Sequence, residues 1–396
     1  MSSVTAHREP ASIRTLATLA ILLGFASIST DLFLPALPSM AADLKAPQGQ
    51  LELVVSTYLF GFGFGQLLWG PVSDRFGRRG PILIGVLVFV LGSAGCALAT
   101  EAWHVILWRI VQALGASAGV ALARAMVRDL YERDRAAKVM SGLMMVMAIA
   151  PLVGPTVGAQ ILAFASWQAI FWTLVALGIG VVMAVAVLPE SLPAEQRSEG
   201  AIWRAFLDYG QHFRNRALLL PAAALGFYYM GAFGGIAGAP FAFIEYYGLS
   251  PQAYALVFAS GVFGLLLTNA INVRLVVHLG SQRMLLIGAI GAALSGALFF
   301  VVTLTGWQGA IGLIAASFLF MAMNGLITAN AVAGALAGVR QGAGSASAVV
   351  GAIQYGSGMV GAALVSGMAN GTPVPMGVVT VLSGIGCLIC AWLARK

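Results

Sequence analysis

Long apolar runs separated by clusters of charge dominate the chain. A helix that crosses a bilayer needs about 20 predominantly apolar residues, so each run of that length predicts a membrane span. Runs of single-span length cover about 15–40, 53–73, 80–100, 102–123, 217–244 and 246–273, and runs of roughly twice that length cover 139–189, 284–339 and 341–394. The pattern predicts an all-α polytopic membrane protein with twelve transmembrane helices.

A polar stretch in the middle of the chain divides the predicted spans into two sets of six. The layout is a cytoplasmic N-terminal tail over 1–14, an N-terminal bundle over 15–188, a central loop over 189–217 and a C-terminal bundle over 218–394. Two halves of similar length predict a pair of repeats around a site near the middle of the bilayer. Aromatic residues at helical spacing in the loop also predict an amphipathic surface helix: Trp203, Phe206, Tyr209 and Phe213.

Composition agrees with a membrane environment. Hydrophobic residues make up 60% of the 396 residues and charged residues only 9%, whereas a soluble domain carries roughly 25% charged residues. The net charge of +7 raises the alternative of a nucleic-acid-binding protein. The distribution of the basic residues decides between the two.

Nearly every Lys and Arg falls in loops on the side of the N-terminus, whereas the opposite loops hold only Lys45. Basic residues are retained on the cytoplasmic side of membrane proteins. We therefore expect both termini in the cytoplasm and a multi-pass location in the bacterial inner membrane. The basic charge then reports topology, and no nucleic-acid partner is expected.

The cysteines, the histidines and the motif content of the chain predict neither a metal site nor an enzyme. Cys96, Cys387 and Cys390 lie in apolar runs, where packing is favoured over metal or redox chemistry, and the four histidines are scattered. The sequence shows no nucleophile–base pairing and no nucleotide-binding P-loop. We expect a monomer without a cofactor, driven by the proton gradient, whose partners are a small-molecule substrate, protons and the lipid bilayer.

Two charged residues fall inside predicted spans. Asp31 lies roughly 25 Å along the helix from Arg14, in the outer half of the membrane. Arg109 lies about two turns into span 4. Because a charge in hydrocarbon costs several kcal/mol unless it has a partner or a cavity, we predict that Asp31 binds the coupling proton or the substrate and that Arg109 tunes it. The simpler alternatives are a helix cap for Asp31 and a structural tie to backbone carbonyls, helped by Gln112, for Arg109.

The stretch Gly70–Arg79, between spans 2 and 3, reads Gly-Pro-Val-Ser-Asp-Arg-Phe-Gly-Arg-Arg. Its glycines, Gly70 and Gly77, permit close packing and a tight turn. Asp74 can lie beside basic residues or at a helix N-terminus, and Arg75 and Arg78 hold the loop at the inner surface. This stretch resembles the signature cytoplasmic loop of the major facilitator superfamily, which implies a fold of two six-helix bundles.

Span 5 contains Gly154, Pro155 and Gly158, where proline interrupts helix hydrogen bonding and glycine permits close packing. This group resembles the antiporter motif of the superfamily, which the family associates with export and with preventing leak; an ordinary helix kink is the alternative. The pair Arg109 and Gln112 on span 4 resembles the motif of proton-coupled members.

The end of span 1, residues 30–38, and the loop after span 4, residues 124–131, narrow the resemblance. Both are similar to the Bcr/CflA group of bicyclomycin and chloramphenicol resistance proteins. This implies a proton-coupled multidrug antiporter that exports small amphiphilic compounds by alternating access. A metabolite exporter for a nucleobase, sugar or amino acid, and a proton symporter of the same fold, remain open as alternatives.

Polar, aromatic and sulfur-containing side chains in the spans are candidates for the substrate cavity, although packing is the simpler interpretation of each. The candidates are Gln112, Tyr58, Met144, Met147, Tyr228, Asn330 and Gln354. Glu52 and Glu245 lie at the outer ends of spans 2 and 7 and are expected to be solvated caps. Admission of cationic substrates by Glu245 is the weaker alternative.

Overall fold

The computed structural model describes residues 13–131, 133–198, 210–211, 215–337, 339 and 343–395. The secondary structure of these residues is helical, with no β-strand among them. Twelve of the described helices are long and apolar enough to cross a membrane, which confirms the predicted number. The expected amphipathic helix at 203–213 and most of the N-terminal tail lie outside the described residues.

We number the membrane helices in chain order. Their bounds are α1 Ile13–Asp31, α2 Gln48–Phe76, α3 Arg79–Ala97, α4 Ala102–Leu130, α5 Arg133–Phe164, α6 Trp167–Ala186, α7 Arg216–Pro240, α8 Pro251–Leu279, α9 Ser281–Thr305, α10 Gly309–Ala322 with Asn324–Leu336, α11 Ala343–Gly367 and α12 Val374–Leu393. A turn at Leu34–Ala36 and the short helix Leu37–Asp43 follow α1, and a π-helix at Phe241–Tyr246 extends α7.

The double-span runs divide where turn residues predict a break. Gly306 ends α9 in the left-handed conformation at φ 69°, which glycine adopts without a Cβ clash. Pro375 lies in the first turn of α12, where its missing N–H leaves no helix hydrogen bond unmade. Chain reversal within an apolar run therefore follows local backbone chemistry.

Helix ends at the cytoplasmic side differ from the predicted span ends. The basic residues Arg124 and Arg128 predict a loop, but α4 continues to Leu130. Likewise, α2 includes Gly70 and ends only at Phe76. The first charge marks where the chain leaves hydrocarbon, whereas the helix continues because its backbone hydrogen bonds remain available in water.

Helices of each half pack chiefly on one another. In the first half α2 and α3 both pack against α4, and in the second half α7 packs against α11 and α9 against α12. Between the halves, α2 packs on α11 and α5 packs on α8. The loops after α2 and α8 both turn at a glycine with positive φ, Gly77 at 89° and Gly280 at 78°, which agrees with a repeated architecture.

The halves are joined toward the predicted outer face, the face at which α1 ends. Ser56 donates to the Met359 carbonyl at 2.9 Å, and Ser366 donates to the Gly49 carbonyl at 2.5 Å. Gln252, at the start of α8, donates to the Ala159 carbonyl at 3.2 Å. These three hydrogen bonds join the halves near their outer ends, so the structure is closed at this face.

Buried apolar side chains also join the two halves toward the outer face. The larger cluster runs through the first half and continues into second-half residues that include Phe241, Tyr254, Val302 and Val365. These residues lie near the outer ends of their helices. A second cluster, which includes Leu218 and Ala346, contains second-half residues alone. Apolar packing therefore reinforces the closure at the outer face.

Close packing of α11 on α7 should be sensitive to a single methyl group. A Cβ on Gly361 would lie 2.9 Å from the Met230 Cα and closer to its carbonyl oxygen, whereas a Cβ on Gly356 would have no neighbour within 4 Å. We predict that Gly361→Ala destabilises the purified protein by about 1–3 kcal/mol through overpacking. Thermal unfolding in detergent measures this effect, with Gly356→Ala as the control; equal melting temperatures for the two variants would contradict the packing.

Candidate functional site

Asp31 lies at the point where α1 ends against α5. The residue is 7% exposed. A Cβ on Gly154 would lie 3.1 Å from the Asp31 Cβ, and a Cβ on Gly158 would overlap the Leu32 backbone. The two glycines of the predicted antiporter motif therefore let α5 approach the end of α1 and bury the acid, as close helix packing in membranes requires.

Arg109, from α4, is fully buried beside the end of α1. Its guanidinium carbon lies 4.1 Å from the ring centre of Phe33 and 4.0 Å from that of Tyr58. Nη1 donates to the Ser29 carbonyl at 3.1 Å and to Gln112 Oε1 at 2.5 Å. Two aromatic faces and two hydrogen bonds thus replace part of the water that the cation would otherwise keep.

A hydrogen-bonded network extends from Arg109 into the first half. Gln112 donates to Ser93 Oγ at 2.7 Å, which orients its oxygen toward the arginine. The Tyr58 hydroxyl lies 2.5 Å from Ser29 Oγ. Two of the arginine nitrogens, Nε and Nη2, are buried without a hydrogen-bond partner among the described residues. The predicted bond from Arg109 to a backbone carbonyl is therefore present, but the guanidinium does not make all the hydrogen bonds of which it is capable.

Asp31 and Arg109 are neighbours without forming an ion pair. Within the described part of the chain, no basic side chain is at salt-bridge distance from the Asp31 carboxylate, although the two groups interact electrostatically. The turn at Leu34–Ala36, which follows Asp31 in the chain, packs against α7 and α8 of the second half. The acid therefore lies where the first half meets the second, and control of its proton by Arg109 stays a prediction.

The seven candidates for the substrate cavity fall into two groups. Tyr228 is buried and donates toward the Phe320 and Met321 carbonyls at 3.2 Å, and Asn330 is buried and donates to Asn272 Oδ1 at 2.6 Å. Gln112 and Tyr58 are likewise buried and hydrogen-bonded. The other three, Met144, Met147 and Gln354, are half-buried. Substrate contact stays a prediction for all seven, and the half-buried group is better placed for it.

Glu52 was expected to be a solvated cap, but in the structure it is fully buried. Its Oε1 accepts from Gln48 Nε2 at 2.8 Å, and its Oε2 has no hydrogen-bond partner among the described residues. Gly49 and Ser56, on the same face of α2, contact α11. A residue at a helix end looks solvated in the sequence, but packing of the two halves covers this one. Glu245 is exposed, as expected of a cap.

The cytoplasmic loop after α2 is built around Arg78. Its guanidinium pairs with Asp74 at 2.5 Å and with Asp129 at 2.8 Å, and donates to Ser73 Oγ at 2.6 Å. The expected pairing of Asp74 with a basic neighbour is therefore present. Asp129, at the end of α4, is a partner that lies 51 positions from Arg78 in sequence, so the local motif could not reveal it.

Glu190 completes this loop, although no motif in the sequence singles it out. Its carboxylate accepts the backbone N–H groups of Arg78 at 2.8 Å, Arg79 at 3.1 Å and Leu192 at 3.0 Å. A Cβ on Gly77 would lie 2.6 Å from Glu190 Oε2, so the glycine makes room for the acid. Partial burial opposes ionisation of Glu190, but the backbone N–H bonds prevail and lower its pKa.

We predict that Glu190→Ala lowers the melting temperature at pH 7, because the N-terminus of α3 loses an anionic acceptor. Since the folded pKa is lowered, the stabilisation is present at neutral pH and disappears as the pH falls through that lowered value. Thermal unfolding measured against pH tests both statements. Glu195→Ala, at an exposed position, is the control, and the same melting temperature for both variants would refute the assignment.

Comparisons with known proteins identify the family of this chain. A family model described as Major Facilitator Superfamily matches residues 19–365. The chain is 30% identical over 366 residues to a bicyclomycin resistance protein homolog of Haemophilus influenzae, covering 91% of this chain and 90% of the relative. It is 33% identical over 386 residues to a chloramphenicol resistance protein of Pseudomonas aeruginosa, covering 92% and 87%.

A crystal structure of a D-xylose-proton symporter superposes with a TM-score of 0.74 at 17% identity, covering 97% of both chains. At that identity the likeness concerns the fold. The resistance-protein relatives confirm the resemblance to the Bcr/CflA-type group. This chain therefore belongs to the major facilitator superfamily and is a multi-pass membrane transporter rather than an enzyme.

Proposed function

We propose that the protein is a drug:proton antiporter of the bacterial inner membrane, with both termini in the cytoplasm. It exports small amphiphilic compounds of the bicyclomycin or chloramphenicol kind by alternating access. The protein acts as a monomer, without a cofactor, and the proton gradient supplies the energy. The names of its relatives support the substrate class, and the buried acid supports the coupling.

The observation that carries the proposal is the position of Asp31. It is buried at the closed outer face, near a cation but outside an ion pair. A carboxylate in such a place costs free energy unless a proton neutralises it or water reaches it. Opening of the outer face separates α5 from α8 and hydrates the acid. Its protonation and the conformation of the transporter therefore depend on each other.

The cycle follows from this dependence. Cargo enters from the cytoplasm while Asp31 releases its proton, and the electrostatic field of Arg109 favours the ionised acid. After the halves rock and the outer face opens, a proton from outside binds Asp31 and the cargo leaves. Return to the outer-closed arrangement carries the proton inward. The cargo moves outward and the proton moves inward in alternate halves of the cycle, which is antiport.

We predict that Asp31→Asn abolishes export driven by a pH gradient, because the amide cannot exchange a proton. Drug susceptibility of an efflux-deficient host and drug movement in proteoliposomes under an imposed pH gradient measure the effect. Asp43→Asn removes the same charge at an exposed position and retains an acceptor for Trp167 Nε1, at 2.8 Å in the wild type. This control should export normally.

Full gradient-driven export by Asp31→Asn, with normal proton movement, would rule out the proposed coupling. Reversal of the imposed gradient separates antiport from symport, because antiport drives the cargo against the proton. A panel of labelled nucleobases, sugars and amino acids tests the metabolite alternative in the same vesicles.

Arg109→Lys should also lose export, although it keeps the positive charge. An ammonium group cannot stack flat between Phe33 and Tyr58 while donating to both Ser29 and Gln112. We expect at least a roughly tenfold drop in transport rate with normal membrane insertion, measured in proteoliposomes. Arg128→Lys, at an exposed position on the same helix, is the control. Undiminished transport by Arg109→Lys would exclude a requirement for the guanidinium.

A further inference from the structure

Glu52 is a buried acid on the face of α2 that joins the two halves. Gly49, Glu52 and Ser56 recur at three- and four-residue spacing, so they share one face of the helix. The Gly49 carbonyl accepts from Ser366, and Ser56 donates to the Met359 carbonyl, both on α11. A Cβ on Gly49 would lie 2.5 Å from the Ser366 carbonyl oxygen. The acid is therefore held between two close contacts of α2 with α11.

The surroundings of Glu52 satisfy only part of its carboxyl group. The residue is 0% exposed, and Gln48 Nε2 donates to its Oε1 at 2.8 Å, but its Oε2 has no hydrogen-bond partner among the described residues. Within the same part of the chain, no basic side chain is at salt-bridge distance from the group. A buried carboxylate without a counter-charge is strongly disfavoured, and such a group takes up a proton instead. The closed outer face therefore favours the neutral form of Glu52.

The neighbouring elements do not supply a counter-charge. The elements that pack on α2 are α3, α4, α7, α11 and the short helix Leu37–Asp43. The charged and titratable side chains at their outer ends are Asp43, Cys96, Glu101, His104, Glu245 and Tyr246, all exposed except the buried Cys96. Lys45, in the loop before α2, is also exposed.

Deeper in the same elements lie Arg109, Tyr228, Tyr229 and Tyr355. Only Arg109 among these is a cation, and it stacks on Tyr58, six positions or about 9 Å along α2 from Glu52. Charges at the helix ends are in water and are screened. The state of Glu52 therefore depends chiefly on whether water reaches it.

A polar pocket at the outer face lies next to this acid. It measures about 260 Å³ and lies between the start of α2, the π-helix Phe241–Tyr246 and the loop that joins α11 to α12. Its lining includes Gln48, Glu245 and Thr372. A water molecule occupies about 30 Å³ in the liquid, so this space has room for several. Because Gln48 also bonds to Glu52, a single side chain separates the acid from the pocket.

We propose that Glu52 binds a proton from the outer side when the halves close and releases it to the same side when they open. Opening separates α2 from α11, and a carboxyl group in water is ionised at neutral pH. Closure buries the group among neutral partners, where the protonated form is favoured. The proton stays at the outer face in both arrangements, so it is not carried across the membrane. Glu52 thus goes beyond the proposed export function, because it makes opening of the outer face depend on the pH outside.

The pH dependence has a defined direction and a limit. The closed arrangement holds one proton more than the open one at Glu52, so a fall in pH favours closure. One proton changes the closed-to-open ratio by at most about tenfold per pH unit. The change stops at low pH, where both arrangements are protonated, and at high pH, where neither is. Asp31 also lies at this face, and Asp31→Asn removes its contribution.

Distances between the halves of the full-length protein measure this ratio. Spin labels replace Ala165 and Gln308, which are exposed in outer loops of opposite halves, in a protein whose native cysteines are changed to serine. Double electron–electron resonance in lipid nanodiscs gives the closed and open fractions from about pH 5 to 9. In Asp31→Asn the closed-to-open ratio should rise roughly three- to tenfold per unit fall in pH near its midpoint.

Addition of Glu52→Gln should hold the ratio near its low-pH value, because the amide resembles the neutral acid. The remaining change should be less than about twofold per pH unit. Glu245→Gln removes an exposed acid from the lining of the same pocket, and this control should keep the full pH dependence.

The outcomes separate this inference from the export function. An unchanged pH dependence after Glu52→Gln, or no pH dependence in Asp31→Asn alone, would overturn the role of Glu52. With Asp31 intact, Glu52→Gln should keep the wild-type ratio of protons moved to drug exported in proteoliposomes. A lower ratio would mean that the Glu52 proton crosses the membrane, which also contradicts the proposal.

Normal export by Asp31→Asn would remove the proposed coupling but leave the result for Glu52 standing. If Glu52→Gln fails to fold, as judged by size-exclusion chromatography, Glu52→Met supplies a neutral side chain of similar length for the same comparison.

Discussion

Burial of charge in an apolar bundle is the constraint on which this structure depends. Hydrocarbon offers no water to a guanidinium, so the protein must supply its surroundings. Arg109 receives the faces of Phe33 and Tyr58, the Ser29 carbonyl and the Gln112 side chain. These groups come from the end of α1, from α2 and from α4 itself. The arginine thereby fixes the packing of three helices around the region where Asp31 lies.

Because of this packing, the free energy of ionising Asp31 depends on the conformation of the transporter. Its burial requires α5 to approach α1 through Gly154 and Gly158, and α5 in turn contacts α8 across the interface between the halves. The free energy of a charge at this position therefore differs between the outer-closed and outer-open arrangements. A proton that binds one arrangement better than the other must shift the equilibrium between them. The same reasoning applies to Glu52, which packing of α2 against α11 covers at the same face.

The two halves share an architecture but differ in chemistry. Among the described residues, the buried charged groups are Asp31, Glu52, Arg78 and Arg109, all in the first half. Among the described residues, the second half buries polar side chains such as Asn272, Asn330 and Thr380 but no charged one. Such a division suits a carrier that handles the proton in its first half.

The twelve spans and the two anomalous charges can be located from the amino-acid sequence, because bilayer thickness imposes a local length requirement and hydrocarbon excludes ions. The same holds for Gly77, whose turn requires a positive φ. Three-dimensional packing, in contrast, is needed to bury Glu52, to turn Gln112 and Tyr228 toward their own bundles, and to bring Glu190 against a loop 112 positions away. These outcomes depend on which helix faces meet, and a helix in lipid is apolar on nearly every face. The pattern of hydrophobicity therefore marks the helices but carries little information about their partners.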